Sequence, residues 1–158
     1  MNSPYLKSLR IVYFAFAMGI VFFLLVTLFL ISITGPFAES ELSQGDRVPF
    51  LVTLIVLTGG ILLAYRAIVP KKLDAIQALP TLDRKLAAWR ELCILQGALI
   101  EAPAFFAIIL LLLLGIYPLI VWPVAGIALF WIYQPTRDKL IREASLSPGE
   151  IAEFDRMS

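Results

Sequence analysis

The feature that most constrains this chain is an apolar run from Leu92 to Gly115 that contains a single charged residue, Glu101. A helix needs about 20 apolar residues to cross the hydrocarbon core of a bilayer, and this run is long enough. The whole chain is 60% hydrophobic, with a mean hydropathy of +0.89, whereas soluble domains are nearer half apolar. We therefore expect residues 1–158 to form a single domain of an integral membrane protein.

Three further apolar runs predict an all-α, polytopic fold in which four transmembrane helices form two antiparallel hairpins. The predicted spans are 11–33, 48–69, 92–115 and 116–133. The fourth span is short, and only a tight turn separates it from the third. A cleaved signal peptide would begin with similar basic residues, but its apolar core is only about 7–15 residues long. The first span is therefore predicted to be an uncleaved anchor.

The basic residues predict the orientation of these spans. If both termini are cytoplasmic, 12 of the 13 Lys and Arg residues lie inside and only Arg47 lies outside. Membrane proteins carry their excess of Lys and Arg on the cytoplasmic side. We therefore expect a multi-pass protein of the plasma or inner membrane, with cytoplasmic N- and C-termini and with anionic lipid headgroups near its basic loop.

The connection over 70–91 and the tail over 134–158 are predicted to be cytoplasmic and partly helical. Thr81 is a candidate helix cap, and the helix that follows should run into the third span. One face of this helix carries Leu82, Leu86, Trp89 and Cys93, at positions i, i+4, i+7 and i+11. In the tail, the segment 147–150 reads Ser-Pro-Gly-Glu, a capping box that predicts a short terminal helix.

Composition argues against several functional classes. The formal net charge is only +1, so no nucleic-acid partner is expected. The chain has no His, which removes the commonest metal ligand and the usual general base near neutral pH. Its single Cys cannot form an internal disulfide, and no residues show metal-ligand spacing. We expect no cofactor, no metal site and no catalytic activity.

Glu101 is the residue that carries a sharp functional hypothesis. It lies 12 residues beyond Trp89, which is about 18 Å of helix and places it near mid-membrane. A charge at this depth costs about 2.5–3.5 kcal/mol on insertion scales, which favours the neutral form of the acid. Either Glu101 hydrogen-bonds between helices and fixes their register, or it forms an ion or proton site. Gln96 and Thr58 are its candidate polar neighbours.

Small residues predict where the helices approach one another. Gly59 and Gly60 fall at the depth of Glu101, so we expect Glu101 to face the second span near Gly59. Pro103 lacks an amide proton and frees the carbonyl of Leu99, a candidate acceptor for a protonated Glu101. The other predicted helix-packing residues are Gly97, Ala98 and Ala102 in the third span and Ala15 and Gly19 in the first.

The segment from Gly97 to Ala102, Gly-Ala-Leu-Ile-Glu-Ala, resembles the carboxylate-bearing helix of the rotary ATP synthase proteolipid, the c subunit. The upstream Gly59-Gly60 pair and the loop Gln77-Ala78-Leu79-Pro80 occur in the family's order, and the resemblance covers about Gly59 to Leu114. It implies that Glu101 is a protonatable site and that subunits form a ring. The sequence departs from the family in having one glycine pair where the proteolipid has a glycine ladder, and in lacking the loop arginine.

Two functions follow from these features. The leading prediction is a small non-catalytic membrane protein that serves as a helical accessory or scaffold subunit of a complex, or as a homo-oligomer packed around Glu101. The alternative is a proteolipid-like subunit that translocates protons or other ions with Glu101. Both predict partners within the membrane, either other membrane subunits or further copies of this chain.

Overall fold

A computed structural model of the chain describes residues 4–37 and 44–156, and the regular structure within these residues is entirely helical. The predicted all-α class is therefore confirmed. The elements are α1 (Pro4–Thr34), α2 (Gln44–Gln77), α3 (Leu82–Leu114), a 3-10 turn (Tyr117–Ile120), α4 (Val121–Ile132), α5 (Arg137–Glu143) and α6 (Pro148–Arg156).

Three helices are long and apolar enough to cross a membrane, consistent with an integral membrane protein. They are Pro4–Thr34, Arg47–Gln77 and Leu82–Leu114, and an 18-residue window within each has a mean hydropathy of 2.8, 2.2 and 2.4. The predicted fourth span is not one continuous helix. It begins as the 3-10 turn, continues as α4 for 12 residues, and is followed by α5 after a bend of 81°.

The prolines explain this interruption of the fourth span. Pro123 lies in the first turn of α4, where the amide it lacks has no intrahelical acceptor, so it is tolerated at the start of this helix. Pro135 follows α4 and is buried, and a proline is a common stop after the end of a helix. The residues between the two prolines leave room only for a short helix.

α3 is the central helix, and α1, α2 and α4 all pack against it. α1 runs parallel to α3, because the Tyr13 hydroxyl donates to the Cys93 carbonyl at 2.9 Å and the rings of Phe23 and Phe105 meet at 5.0 Å. α4 runs antiparallel to α3 and also packs against α1. The two predicted hairpins imply that α1 pairs with α2, but the main partner of both helices is α3.

The predicted connection over 70–91 is mostly helical. α2 continues through the exposed Pro70 to Gln77, which leaves only residues 78–81 between the helices. α3 begins at Leu82, and Thr81 holds the extended cap position although its side chain makes no cap hydrogen bond. The predicted apolar face is buried along its length, which confirms that reading of residues 82–93.

The start of α1, the start of α3 and the tail helices meet at one end of the bundle, which we call the polar end. Arg10 Nε donates to the Pro135 carbonyl at 3.2 Å. Lys85 Nζ lies 2.9 Å from the Glu150 carboxylate, and this pair ties α3 to α6. The predicted capping box is confirmed, because the Ser147 and Glu150 side chains each accept a hydrogen bond from the other's backbone amide, at 3.3 and 2.7 Å.

Candidate functional site

Glu101 lies on the face of α3 that contacts α1. Cys93, Gly97 and Phe105 share this face at four-residue intervals, and α1 packs along it. A Cβ atom added to Gly19 of α1 would lie 3.7 Å from Glu101 Oε1 and 3.9 Å from the Phe105 ring. The carboxyl therefore rests against the backbone of α1, and it is half-buried rather than enclosed among helices.

The prediction that Glu101 faces α2 near Gly59 is wrong. Successive helix residues are rotated by about 100°, so Leu99 and Pro103, each two residues away, lie about 200° and thus nearly opposite Glu101. These two residues line the face toward α2. Counting residues from the membrane surface predicts the depth of a side chain but not the direction in which it points. The carbonyl of Leu99 is consequently on the wrong side of α3 to accept from Glu101.

The glycine pair of α2 makes no close packing contact. Within residues 4–37 and 44–156, and apart from the neighbouring backbone of α2, no atom lies within 4 Å of a Cβ added to Gly59 or Gly60, and Gly60 is exposed. The close approach predicted for these residues is therefore not found. α3 meets α2 through larger side chains instead, among them Leu54, which is buried with Leu110 and Leu111.

The two candidate polar neighbours of Glu101 lie elsewhere. The Thr58 hydroxyl donates to the Leu54 carbonyl at 2.8 Å and accepts from Trp122 Nε1 at 3.1 Å, so it joins α2 to α4. Gln96 is buried, and its Oε1 accepts from Lys139 Nζ at 3.5 Å. The structure therefore separates the three predicted site residues into three different surroundings.

No residue in the described ranges 4–37 and 44–156 forms a hydrogen bond or ion pair with the Glu101 carboxyl. Glu101 and the Phe105 ring both lie within 4 Å of a Cβ atom added to Gly19. An ionised carboxylate in apolar surroundings is costly unless it is paired. Within a bilayer, this side chain is therefore stable when it is protonated or when a group from outside the chain pairs with it.

Among the described glycines, Gly97 makes the tightest helix contact. A Cβ added there would lie only 2.9 Å from Phe16 Cε2, and the Phe16 ring in turn stacks on Phe130 at 5.8 Å. Gly126, which the sequence analysis did not single out, makes a similar contact: its added Cβ would lie 3.2 Å from the Ala104 side chain. In the sequence, Gly126 is a glycine within an apolar run, and so is Gly59. The sequence therefore does not show which of the two makes a close contact.

Ala15, Ala98 and Ala102 are exposed on the surface of the bundle. They were predicted to pack helices together, but in this chain no helix covers them. Ala98 and Ala102 flank Glu101 on α3. On this side the surface next to the acid is shallow, because these two residues have almost no side chain.

The sequence analysis also missed a polar cluster beneath α3. Trp89 Nε1 donates to Glu143 Oε2 at 2.8 Å, and Lys139 Nζ lies 4.0 Å from Glu143 Oε1. Lys139 Nζ also donates to the Tyr133 carbonyl at 3.2 Å. Lys139 lies 43 positions from Gln96 and Glu143 lies 54 positions from Trp89. No local pattern therefore predicts the cluster. It fixes α5 against the polar end of α3.

A groove of about 340 Å³ lies between α2 and α4, with α3 as its floor. We call it the α2–α4 groove. The Thr58–Trp122 hydrogen bond closes one end, and the rings of Tyr65 and Tyr133 meet at 6.2 Å at the other. Apolar side chains line the space between, including Leu62, Ala125 and Leu129.

Comparison with models of protein families, with curated proteins and with solved structures finds no match for this chain. The resemblance to the ATP synthase proteolipid stays a prediction. The geometry around Glu101 is therefore the basis for a proposed function.

Proposed function

We propose that this protein is a non-catalytic helical subunit of a membrane assembly, and that the surface around Glu101 is where it docks. One observation carries the proposal: a carboxyl near the middle of α3 is half-exposed and has no partner among the described residues. A polar group at this depth is stabilised when a neighbouring helix supplies a hydrogen bond. A second membrane helix would provide what the chain itself lacks.

The shape of this surface supports the same proposal. Ala98 and Ala102 are exposed beside Glu101, and small residues allow two helix backbones to approach closely. From the side of these two alanines, a partner helix can therefore reach the carboxyl without displacing large side chains. The partner is a further copy of this chain or another membrane subunit, and the role is that of an accessory or scaffold.

The proposal includes four membrane crossings. The chain turns back at Gly115, and α4 then reaches the level of Gly97, where Phe130 contacts α3. The 18 residues of α3 between these two levels span about 27 Å, so α4 runs back along most of a hydrocarbon core about 30 Å thick, and Glu101 lies about 6 Å inside the level of Gly97. The tail then meets the start of α1 at the polar end. The gathering of basic residues at this end supports cytoplasmic N- and C-termini in the plasma or inner membrane.

Single-cysteine labelling tests this topology. The native Cys93 is 0% exposed, so it gives little background. We expect Tyr117→Cys to react with a membrane-impermeant maleimide on intact cells, and Gly149→Cys to react only after permeabilisation. The opposite pattern would reverse the orientation, and labelling of both positions on intact cells would remove the fourth crossing.

The docking surface is tested by two matched substitutions on exposed alanines. Ala102→Phe places a ring beside Glu101, whereas Ala128→Phe adds the same ring on α4. We expect Ala102→Phe to reduce the assembled fraction at least tenfold in mild detergent and Ala128→Phe to leave it unchanged. A protein that is monomeric and unaccompanied before either substitution would overturn the proposal.

The same preparation separates the accessory role from ion translocation. In the accessory role a glutamine at position 101 still forms hydrogen bonds, so Glu101→Gln should assemble normally. A proteolipid-like carrier instead requires a titrating acid, so it predicts proton flux into vesicles that Glu101→Gln abolishes and pH-dependent labelling of Glu101 by a carbodiimide. Such flux would establish the carrier and reject the accessory role.

A further inference from the structure

The α2–α4 groove has the dimensions of a site for a single hydrocarbon chain. It is about 340 Å³ in volume, at the lower end of the range of about 300–1,000 Å³ for small-molecule sites. Its wall on α4 runs from Val121 to Tyr133, about 18 Å of helix. Dividing the volume by this length gives a channel about 5 Å across, the width of one hydrocarbon chain.

A transmembrane helix does not fit this space. A helix about 10 Å in diameter and 18 Å long occupies roughly 1,400 Å³, about four times the volume of the groove. Its walls are α2 and α3, which are long and apolar, and α4, which belongs to the bent apolar segment. The groove between them therefore opens toward lipid. An acyl chain is therefore the occupant that matches both the size of the groove and its surroundings.

The two ends of the groove differ, and this difference orients the occupant. The Thr58–Trp122 hydrogen bond closes the end nearer the tip of α3. The other end carries the Tyr65 and Tyr133 rings, with Lys139 Nζ 5.4 Å from the Tyr133 ring centroid. Tyrosines near a bilayer surface contact lipid headgroups. The headgroup would lie at the Tyr65–Tyr133 end.

Positive charge lies on α2 next to the Tyr65–Tyr133 end of the groove and beyond it. Arg66 comes directly after Tyr65, and Lys72 lies on the same face as Tyr65, Val69 and Ile76 at i+7 from Tyr65, about 10 Å further along the helix. Both cations are exposed. The nearby Glu143 carboxylate of α5 is already bonded to Trp89 and Lys139. On this part of α2 the acid is Asp74. The balance favours an anionic headgroup.

We propose that the α2–α4 groove binds one acyl chain of an anionic phospholipid, whose headgroup lies at the Tyr65–Tyr133 end beside Arg66 and Lys72. Binding there would fill the space that α2 leaves against α4 and hold α2 to the rest of the bundle. The proposal is independent of Glu101, which lies on the opposite face of α3.

Trp122 lines the groove and serves as the reporter. In a Trp131→Phe background, Trp122 is the tryptophan that lipid can reach, because Trp89 is 0% exposed and Trp131, at 77%, is removed. Bromine on an acyl chain quenches a tryptophan that it touches. In phosphatidylcholine vesicles, we expect brominated phosphatidylglycerol to quench Trp122 at a mole fraction at least fivefold lower than brominated phosphatidylcholine does.

Two matched pairs of variants test where the chain binds. Ala125→Phe and Leu62→Phe fill the groove, whereas Ala128→Phe and Leu63→Phe add the same ring to exposed positions outside it. We expect the first two to lower quenching by more than half and the last two to leave it unchanged. Two helices are sampled, so a folding defect in one variant leaves the other pair to decide. Unchanged emission of the same substitutions in a Trp122→Phe, Trp131→Phe background, where Trp89 is the tryptophan that remains, identifies the folded variants.

Arg66→Gln combined with Lys72→Gln tests the headgroup and should abolish the preference for phosphatidylglycerol. Three results would overturn the proposal. Equal quenching by both lipids in the parent would remove headgroup recognition, and equal quenching in filled and control variants would show bulk lipid contact only. Quenching that changes with the protein-to-lipid ratio would identify a second copy of the chain as the occupant.

Discussion

The two faces of α3 are packed in different ways. On the face toward α1 and α4, glycines bring the helices close together, with Gly97 against Phe16 and Gly126 against Ala104. On the other face, α2 leaves a groove, and a Cβ added to Gly59 or Gly60 would meet no neighbouring helix among the described residues. In the most apolar stretch of α2 only 6% of residues are buried, against 39% in α3. A glycine therefore marks a close contact only where a facing side chain reaches it.

Substitution of glycines on the two faces should give the largest contrast. Gly97→Leu forces a side chain into the space that Phe16 and Phe130 occupy, so we expect a loss of about 3 kcal/mol in the free energy of unfolding. Gly60→Leu is the matched control, because its position is open. It should be neutral or stabilising by up to about 1 kcal/mol, since glycine is a poor helix former. Unfolding in mixed detergent measures both.

Equal losses for Gly97→Leu and Gly60→Leu would contradict the distinction between the two faces. A loss confined to Gly60→Leu would show that α2, not α1, contacts α3 most closely. Gly97→Ala tests the same contact with the smallest side chain, because the added Cβ alone would lie 2.9 Å from Phe16.

Two tryptophan substitutions compare the polar end with the lipid-facing surface. Trp89→Phe removes the hydrogen bond to Glu143 from a fully buried position, and the expected loss is about 1–3 kcal/mol. Trp131→Phe changes a residue that is 77% exposed and should cost little. The same unfolding assay applies. A larger loss for Trp131→Phe would mean that Trp131 is covered by a partner that the isolated chain lacks.

Thr58→Val tests the hydrogen bond that joins α2 to α4. The substitution keeps the shape of the side chain but removes the acceptor for Trp122 Nε1. Hydrogen bonds between membrane helices contribute about 0.6 kcal/mol on average, so we expect a loss of that order. Thr53→Val is the control, because the Thr53 hydroxyl bonds only within its own helix, to the Pro49 carbonyl. A loss above about 2 kcal/mol would mean that α2 is held more firmly than the groove suggests.

The smallest expected effect is a pH dependence confined to the polar end. The Ser147 amide and Lys85 lower the pKa of Glu150, and hydrogen bonds from Arg137 lower that of Asp155. Because both values are lowered on folding, the stability is present above the ordinary pKa values of 4.5 and 3.8 and is lost as the pH falls through the lowered ones. Acid should therefore loosen α6 and expose Trp89 to water.

Trp89 fluorescence between pH 7 and pH 3 measures this loosening in a variant that lacks the other tryptophans. We expect a red shift below about pH 4.5. The double variant Glu150→Gln, Asp155→Asn should show the shifted emission already at neutral pH. In a separate variant that retains Trp122 alone, emission should not change over this range, because the Thr58–Trp122 contact contains no titrating group.

Part of the candidate site was predictable from the sequence. The burial of Leu82, Leu86 and Trp89 follows from their spacing on one helix face, and the depth of Glu101 in the membrane stays a prediction from a residue count. The direction of Glu101 was mispredicted because its rotation about the α3 axis depends on which helix packs where. Gln96 and Thr58 were assigned to Glu101 for their similar depth, yet each bonds to a residue at least 43 positions away.

The sequence by itself determined the helical class, the long apolar helices and the start of α3 and α6, because these depend on local composition, spacing and capping. Only the tertiary structure decided that α1 lies parallel to α3, that Gly97 rather than Gly59 is the close contact, and that a groove separates α2 from α4. Apolar helices of similar composition can pack in several arrangements. The choice among them depends on how side chains far apart in the chain fit together, and no local pattern records that fit.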